Sequence, residues 1–152
     1  MGFQGRHRFL SNFWPVEVVA FSLPFRSVEH AYQASKSLDP DYRVAVMNSY
    51  KAADAKALGR LADLRPDWED VKDDVMLDLL RQKFVYSNLV LMLDDTGDSI
   101  LLEDNRWGDR YWGVVDGVGL NRLGMLLMQV REENRERADG AWLRYVRDNF
   151  AS

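Results

Sequence analysis

The segment SVEHAYQASKSL, residues 27–38, decides the fold class, because it predicts a helix that directly follows a β-prone stretch. Ser27 is a favourable N-cap residue, and Glu29 places a carboxylate in the first helical turn. No glycine or proline interrupts the segment before Pro40. We therefore expect a helix that begins just after Ser27.

The strands predicted by the sequence are short and few. VEVVAF, residues 16–21, indicates a strand, and the proline-containing residues 22–24 indicate the turn that ends it. Phe25 is expected to begin a second short strand, and residues 100–103 predict a further one.

The remaining patterns are helical. Residues 67–86 carry apolar side chains at spacings of three and four, which is typical of an amphipathic helix. Further helices are predicted at 39–48, 53–64, 89–93, 121–137, where Asn121 is the expected N-cap, and 139–149. Because these strands do not alternate with helices, we expect an α+β, predominantly helical single domain over 1–152, with a C-terminal helical extension at about 139–150.

Composition excludes several classes of function. The chain has 152 residues, no cysteine, and a formal net charge of -4, so neither disulfides nor thiolate chemistry nor a basic nucleic-acid surface is expected. No apolar stretch of membrane-spanning length and no signal peptide is seen, so we expect a cytoplasmic protein that does not enter a membrane.

A metal site is not expected. The acidic residues of the 67–78 segment scatter over the solvated side of a predicted helix, and the chain has only two histidines and no cysteine to act as ligands. We therefore expect these acidic residues to form a solvated helix face.

Three polar residues lie in one row on the predicted helix at 27–38. Glu29, Gln33 and Lys36 stand at i, i+4 and i+7, so a carboxylate, an amide and an amine share one side of the helix. Such a row is ordinarily a solvated stripe, but the small side chains around it also allow it to face a cleft. His30, on the adjoining side, is expected to be structural.

A glycine-rich loop precedes the helix predicted at 121. The stretch NRWGDRYWGVVDGVGLN, residues 105–121, matches neither the dinucleotide fingerprint nor the P-loop. Its backbone amides could cradle a phosphate at the helix N-terminus, although an ordinary surface loop is equally compatible. Trp107 and Trp112 could stack on a base.

Five motifs together resemble one known family. They are FLSNF at 9–13, SVEHAYQASK at 27–36, RQKF at 81–84, E-x5-D-x2-W-G-x3-G-x-G-x-N at 103–121 and LGMLLMQVR at 123–131. Because all five motifs occur in this order, the chain is similar to the NADAR (YbiA-like) family. The resemblance implies a compact α+β fold, and one departure is that residues 22–24 replace the Asp-Gly turn that many members carry.

The resemblance also implies hydrolysis of N-glycosidic bonds without a cofactor. One associated substrate class is the ribosylamino-pyrimidine phosphates of the riboflavin pathway, and the other is ADP-ribosylated guanine in nucleic acid. We expect the second class, because arginines near the motifs could bind its phosphates. A non-catalytic sensor that binds ADP-ribose or NAD is the alternative.

The family motifs assign candidate site residues. Catalysis is expected from Glu29, Lys36 and Asp109, either through carboxylate stabilisation of an oxocarbenium ion or through a Schiff base on Lys36. Substrate-binding residues are expected at Asn12, Phe13, Gln33, Trp107, Trp112, Gly113, Gly119 and Asn121, the last three as part of a phosphate site. The sequence does not decide whether burial of Lys36 outweighs its pairing with Glu29.

The C-terminal extension leaves the oligomeric state open. Its apolar residues, among them Trp142 and Leu143, either cap the core or support a dimer. We therefore expect a monomer or a weak homodimer.

Overall fold

The computed structural model describes residues 2–151, and helices predominate in it. The strands are β1 (Val18–Ala20) and β2 (Leu23–Phe25), and the α-helices are α1 (Val28–Ala34), α2 (Pro40–Asn48), α3 (Ala52–Gly59), α4 (Trp68–Lys83), α5 (Ser87–Asp94), α6 (Arg122–Glu136) and α7 (Ala141–Phe150). Two 3₁₀ segments, Gly5–Leu10 and Arg137–Gly140, complete the elements. The predicted α+β class is confirmed.

The chain forms two compact units. Residues 12–83 form the central unit, which contains both strands and α1 to α4. The described parts of 1–11 and 84–152 form the terminal unit, which contains α5 to α7. The single domain expected from chain length stays a prediction.

The hairpin of the central unit turns one position earlier than expected. β1 and β2 pair in antiparallel register with Val18 opposite Phe25, and the turn is formed by Phe21 and Ser22, which have φ of 53° and 59°. Positive φ at both central positions matches the right-handed twist of a tight hairpin. The turn predicted at 22–24 was therefore wrong, because Leu23 and Pro24 already belong to β2.

Helix α1 is the core of the central unit. All seven of its residues are buried, and it packs against α2, α3 and α4. The Ser27 hydroxyl accepts a hydrogen bond from the backbone N–H of His30 at 3.1 Å, which confirms the predicted N-cap. The helix ends at Ala34, earlier than the sequence pattern indicated.

The terminal unit is built on packing among its own helices. Val146 of α7 is buried against Val90 and Leu91 of α5, with Trp142 and Leu143 partly buried beside them. The C-terminal helix thus covers apolar surface of its own chain, as the capping alternative expected. The oligomeric state stays a prediction.

Residues 100–103 do not form the predicted strand. Within the described chain this stretch has no ladder partner, and pairing is limited to an isolated bridge between Asp104 and Val114. One bridge cannot extend into a sheet, so the segment is irregular. Among residues 2–151, no helix has the length and apolar character needed to cross a membrane.

Candidate active site

Two members of the predicted polar row, Glu29 and Gln33, are buried on α1, whereas Lys36 is only partly buried and lies two residues beyond the end of that helix. Glu29 is 7% exposed and Gln33 is 4% exposed, and the Gln33 side-chain amide donates a 2.8 Å hydrogen bond to Glu29 Oε1. The backbone N–H of Glu29 donates to the Asn12 carbonyl at 3.0 Å. The first contact holds the Glu29 carboxylate, and the second holds the Glu29 backbone against Asn12.

Two buried side-chain oxygens in this region accept no hydrogen bond from the described residues. They are Oδ1 of Asn12 and Oε1 of Gln33. An unsatisfied buried polar atom costs on the order of 1–3 kcal/mol, so native proteins keep few of them away from functional sites. Both residues were predicted to bind substrate, and that role stays a prediction.

A glycine of α3 makes room for Gln33. A Cβ added at Gly59 would lie 1.8 Å from Gln33 Oε1, closer than any side-chain carbon can approach. The Gln33 backbone carbonyl also accepts a 2.8 Å bond from the Tyr42 hydroxyl. The orientation of Gln33 therefore depends on α2 and α3 as well as on α1.

Burial outweighs ion pairing at Lys36. Desolvation is the largest influence and lowers the pKa of the Lys36 amine, while the nearby Glu29 carboxylate raises it. The positive charges of Lys56, Arg60 and Lys72 lower this pKa further. The Lys36 ammonium also lies 5.6 Å from the centroid of a tyrosine ring, that of Tyr32.

His30 has structural contacts. Its Nδ1 lies 2.7 Å from Ser27 Oγ, and its Nε2 lies 3.1 Å from the Ser49 carbonyl oxygen. Because a carbonyl oxygen can only accept a hydrogen bond, Nε2 carries the hydrogen of the neutral ring. Burial lowers the pKa of the ring, which favours this neutral form. The ring links the start of α1 to the residue that follows α2.

Phe13 lies at an exposed position of the central unit. Its ring is 43% exposed and its centroid is 5.9 Å from the Lys56 ammonium. An exposed aromatic side chain next to a cation suits contact with a ligand, but its substrate-binding role stays a prediction.

Asp109 organises the loop of residues 105–121 in the terminal unit. Its Oδ1 accepts hydrogen bonds from the backbone N–H groups of Tyr111 at 3.0 Å and Trp112 at 2.9 Å. Asn105 binds the Asp109 backbone on both sides, with bonds of 2.8 and 3.0 Å. The carboxylate thus has a structural task, and its catalytic role stays a prediction.

Asn121 is not the side-chain N-cap that the sequence indicated. Its backbone is left-handed, with φ of 51°, and its side chain makes no capping bond to α6 in the described chain. Its amide donates to the Leu101 carbonyl at 2.8 Å, and its Oδ1 accepts from the Glu103 N–H at 2.9 Å. Asn121 is thus the N-cap residue of α6 by position, as predicted, but its side chain ties the loop to residues 101–103 instead of capping the helix.

The glycines of the loop contact backbone. A Cβ at Gly113 would lie 2.1 Å from the Glu103 carbonyl oxygen, and one at Gly119 would lie 2.3 Å from the Gly113 carbonyl oxygen. The amides of Asn121, Arg122 and Leu123 already donate to loop carbonyls at 3.2, 3.0 and 3.0 Å. These three amides give no support to the phosphate role predicted for Gly113, Gly119 and Asn121, which stays a prediction.

The two loop tryptophans differ in exposure. Trp107 is 62% exposed, whereas Trp112 is partly buried and its ring meets that of Tyr111 edge-on, with centroids 5.0 Å apart. Trp107 is thus the more accessible of the two for stacking. Their substrate-binding roles stay predictions.

The structure brings together the predicted residues of each unit. Asn12, Glu29, Gln33 and Lys36 cluster in the central unit, with Phe13 next to Asn12 in sequence. The terminal unit holds the others, which are Trp107, Asp109, Trp112, Gly113, Gly119 and Asn121. In the part of the chain that the structure describes, no group of histidine and acidic residues could hold a metal ion.

Sequence reasoning missed a buried lysine at the end of α4. The Lys83 side chain is fully buried, and burial lowers its pKa to about 7. The signal was present in the sequence, because Lys83 lies on the apolar stripe of the helix between Leu80 and Phe84. A lysine at such a position is rarely solvated.

A cationic group around Lys36 was also missed. Lys56 comes from α3, Arg60 directly follows that helix and Lys72 comes from α4, so only the tertiary fold reveals that all three influence one amine. The spacing of Lys56 and Arg60 at i and i+4 was the available signal.

Comparison with known proteins gives a consistent result. The NADAR domain matches residues 3–135. The chain is 40% identical over 129 residues to the N-glycosidase YbiA of Escherichia coli, covering 81% of this chain and 79% of that protein. It is 39% identical over 136 residues to a riboflavin biosynthesis protein of Vibrio vulnificus, where the match covers 87% of this chain but spans only 37% of the relative.

A solved structure resembles the fold. The NMR structure of YbiA from Escherichia coli superposes with a TM-score of 0.80 at 33% sequence identity. The similarity covers 91% of this chain and 86% of the other.

Proposed function

The chain belongs to the NADAR domain family, and from that premise we propose that it is an N-glycosidase. It hydrolyses the bond between the anomeric carbon of a phosphorylated ribose and an amine nitrogen of a base. The relatives named N-glycosidase in Escherichia coli and Nostoc punctiforme support this reaction class.

One observation carries the proposal: a buried carboxylate on α1, held by an amide, lies near a partly desolvated lysine that follows the end of that helix by two residues. Glu29 is buried and bonded to Gln33 at 2.8 Å, and the pKa of Lys36 is lowered chiefly by burial. A pure binding protein has no need of a lysine with a lowered pKa beside a carboxylate. Perturbed groups of this kind are typical of catalytic sites.

The geometry favours a covalent route through Lys36. The neutral Lys36 amine attacks the anomeric carbon, the carbon–nitrogen bond to the base breaks, and the leaving amine takes a proton from Glu29. The bond between the anomeric carbon and the ring oxygen then breaks, the ring oxygen takes a proton from Lys36 Nζ, and a protonated Schiff base joins Nζ to the opened sugar. Water then adds to this Schiff base, Glu29 accepts a proton, and the phosphorylated ribose departs with Lys36 restored.

A carboxylate route is the second mechanism. In it Glu29 stabilises an oxocarbenium ion and water attacks directly, with no bond to Lys36. Asp109 is a further candidate carboxylate for this route. The lowered pKa of Lys36 favours the covalent route, because an amine must lose its proton before it can attack.

Two substrate classes fit the proposed reaction. We propose ADP-ribosylated guanine in nucleic acid and ribosylamino-pyrimidine phosphates as candidates, since both present a phosphorylated ribose on an amine. The net charge of -4 disfavours strong non-specific binding to nucleic acid. The Vibrio vulnificus relative, named as a riboflavin biosynthesis protein, favours the second class.

The test is a parallel cleavage assay with a trapping step. Purified protein is incubated with an ADP-ribosylated-guanine oligonucleotide or a ribosylamino-pyrimidine 5′-phosphate, with and without borohydride, and intact mass is recorded. Lys36→Ala removes the amine, Lys36→Arg retains the charge without a nucleophile, and Lys51→Ala controls for labelling of exposed lysines.

We expect sugar release by the wild-type protein and a borohydride-dependent adduct that both Lys36 variants lack and Lys51→Ala retains. Release without an adduct would instead support the carboxylate route. If neither substrate is cleaved and ADP-ribose still binds, the protein is a sensor and the proposed function is wrong.

A further inference from the structure

Helix α3 and the residue that follows it supply two cations near Gln33 and Lys36. Gly59 is the point at which α3 meets Gln33, and Lys56 and Arg60 lie three positions before it and one position after it. Residues three and four apart share one side of a helix, so Lys56 and Arg60 belong to a common side. The Lys56 ammonium is further located by its 5.9 Å separation from the Phe13 ring centroid.

Helix α4 supplies a third cation. The Trp68 ring lies 5.2 Å from the Tyr32 ring, and the Tyr32 ring is 5.6 Å from the Lys36 ammonium. Lys72 follows Trp68 by four positions and therefore lies on the same side of α4. Its side chain is only 14% exposed, although it forms a 2.6 Å ion pair with the largely exposed Glu69.

The positive charge near Lys36 contrasts with the negative net charge of the whole chain. Lys56, Arg60 and Lys72 each lie close enough to lower the pKa of the Lys36 amine, and the Glu29 carboxylate raises that pKa. The whole chain carries a net charge of -4, so this concentration of cations is a local feature. Like charges held together are destabilising, and an anion bound among them relieves the repulsion.

We propose that Lys56, Arg60 and Lys72 form the binding site for the phosphate carried by the substrate's ribose. This inference rests on the proposed N-glycosidase function, and it assigns to the central unit a role that the sequence had placed in the glycine-rich loop. The loop amides of Asn121, Arg122 and Leu123 are already bonded to carbonyls, whereas Lys56, Arg60 and Lys72 bring positive charge close to Lys36.

The site explains selectivity for phosphorylated sugars. A phosphate held by α3 and α4 places the anomeric carbon of the same ribose near α1, within reach of Lys36 and Glu29. Binding energy at the phosphate thus orients the reacting carbon, as remote contacts commonly do in enzymes.

The first test compares a 5′-phosphorylated ribosylamine with its dephosphorylated counterpart. Lys56→Gln, Arg60→Gln and Lys72→Gln each remove one charge, and Lys51→Gln removes a charge from the N-terminal end of α3 as the matched control. The quantity measured is the ratio of kcat/KM for the two substrates. A change in the Lys36 pKa affects both substrates equally and cancels in this ratio.

We expect the ratio to fall by about tenfold in each of the three variants, chiefly through KM for the phosphorylated substrate, and to stay unchanged in Lys51→Gln. An unchanged ratio in all three variants, with cleavage intact, overturns the phosphate site while the proposed function stands.

The second test does not depend on catalysis. Calorimetric titration compares ribose 5-phosphate, ADP-ribose and ribose as probes with the wild-type protein and the same variants. Binding of the two phosphorylated probes should weaken about tenfold on loss of one charge, and ribose should bind equally to all proteins. Tighter binding of ADP-ribose than of ribose 5-phosphate would identify a diphosphate as the source of the anion.

The two tests separate the possible failures. Charge-dependent phosphate binding without cleavage of any substrate supports the site and refutes the proposed function. Equal binding of phosphorylated probes to wild-type and variant proteins overturns the site, whatever the activity.

Discussion

The polar row of α1 and the loop of residues 105–121 use their polar groups in opposite ways. In the loop, Asp109 and Asn121 bind backbone groups of their own segment or of residues 101–103. In the row, the Gln33 amide oxygen accepts no bond from the described chain, and the nearby Lys36 amine is held where its charge is disfavoured. The polar side chains of the loop are used in bonds to nearby backbone, whereas the row keeps an acceptor without a bond and an amine with a lowered pKa.

This difference shows which polar side chains to associate with chemistry. Hydrogen bonds within a loop stabilise a backbone path, and the groups that make them are no longer available to a ligand. Unsatisfied acceptors and a shifted pKa cost stability, so they persist where a function requires them. We therefore place the chemistry in the row and regard the loop first as a scaffold.

The largest effect that tests this contrast is expected from Glu29→Gln. The substitution preserves shape but removes the carboxylate, so kcat should fall by about 10²- to 10⁴-fold, the usual contribution of a general acid or base. Steady-state kinetics give kcat, and circular dichroism melting checks the fold. A kcat within a factor of a few of wild type would place the chemistry elsewhere.

Gly59→Ala is expected to displace the Gln33 side chain of the polar row. The added Cβ, 1.8 Å from Gln33 Oε1, must displace the Gln33 amide and break its bond to Glu29. Overpacking of this kind costs about 1–3 kcal/mol of unfolding free energy, and activity should fall as well. Urea denaturation measures the stability change.

A double variant sharpens the Gly59 prediction. Gln33→Ala removes the atoms that the new Cβ meets, so Gly59→Ala should destabilise the Gln33→Ala protein less than it destabilises the wild type. Additive losses would show that the clash lies with some other group.

Two variants of Asp109 distinguish a structural role of this loop residue from a catalytic one. Asp109→Ala loses an acceptor for two backbone N–H groups and should lower the unfolding free energy by about 1–2 kcal/mol, whereas Asp109→Asn keeps an acceptor oxygen and should lose less. Thermal melting of both variants gives the comparison. If Asp109→Asn melts like wild type but has lost activity, the predicted catalytic role of Asp109 is supported instead.

The smallest effect concerns the pH dependence of cleavage. In the covalent route kcat/KM rises with pH as Lys36 loses its proton. Lys56 and Arg60 lower the Lys36 pKa, so removing either charge raises that pKa and moves the rising limb to higher pH, by less than about one unit. A pH–rate profile of Arg60→Gln measures the shift, and movement to lower pH would contradict the assigned cause.

Local signals explain what the sequence predicted correctly. The Ser27 cap, the start of α1 and the placement of Glu29 and Gln33 on one side of it depend on residues within a few positions of one another. The family motifs also place these residues, and the match of the NADAR domain confirms the family.

The errors and omissions depend on contacts distant in sequence. The Phe21 ring, which lies in the hairpin turn, has the Arg43 guanidinium 3.3 Å from its centroid, a contact that no local pattern shows. Residues 100–103 have strand-like composition but lack a neighbouring strand, and propensity cannot supply one. The cations around Lys36 come from α3, from the residue that follows α3 and from α4, so their grouping required the fold.

Buried Lys83 gives this protein an internal reporter of local opening. An amine-reactive reagent acylates exposed lysines quickly, but it can reach the fully buried Lys83 only when the last turn of α4 opens. The rate at which Lys83 becomes acylated, read by peptide mass spectrometry, therefore measures how often that turn opens. A single natural side chain thus converts a structural fluctuation into a covalent record, without any added label.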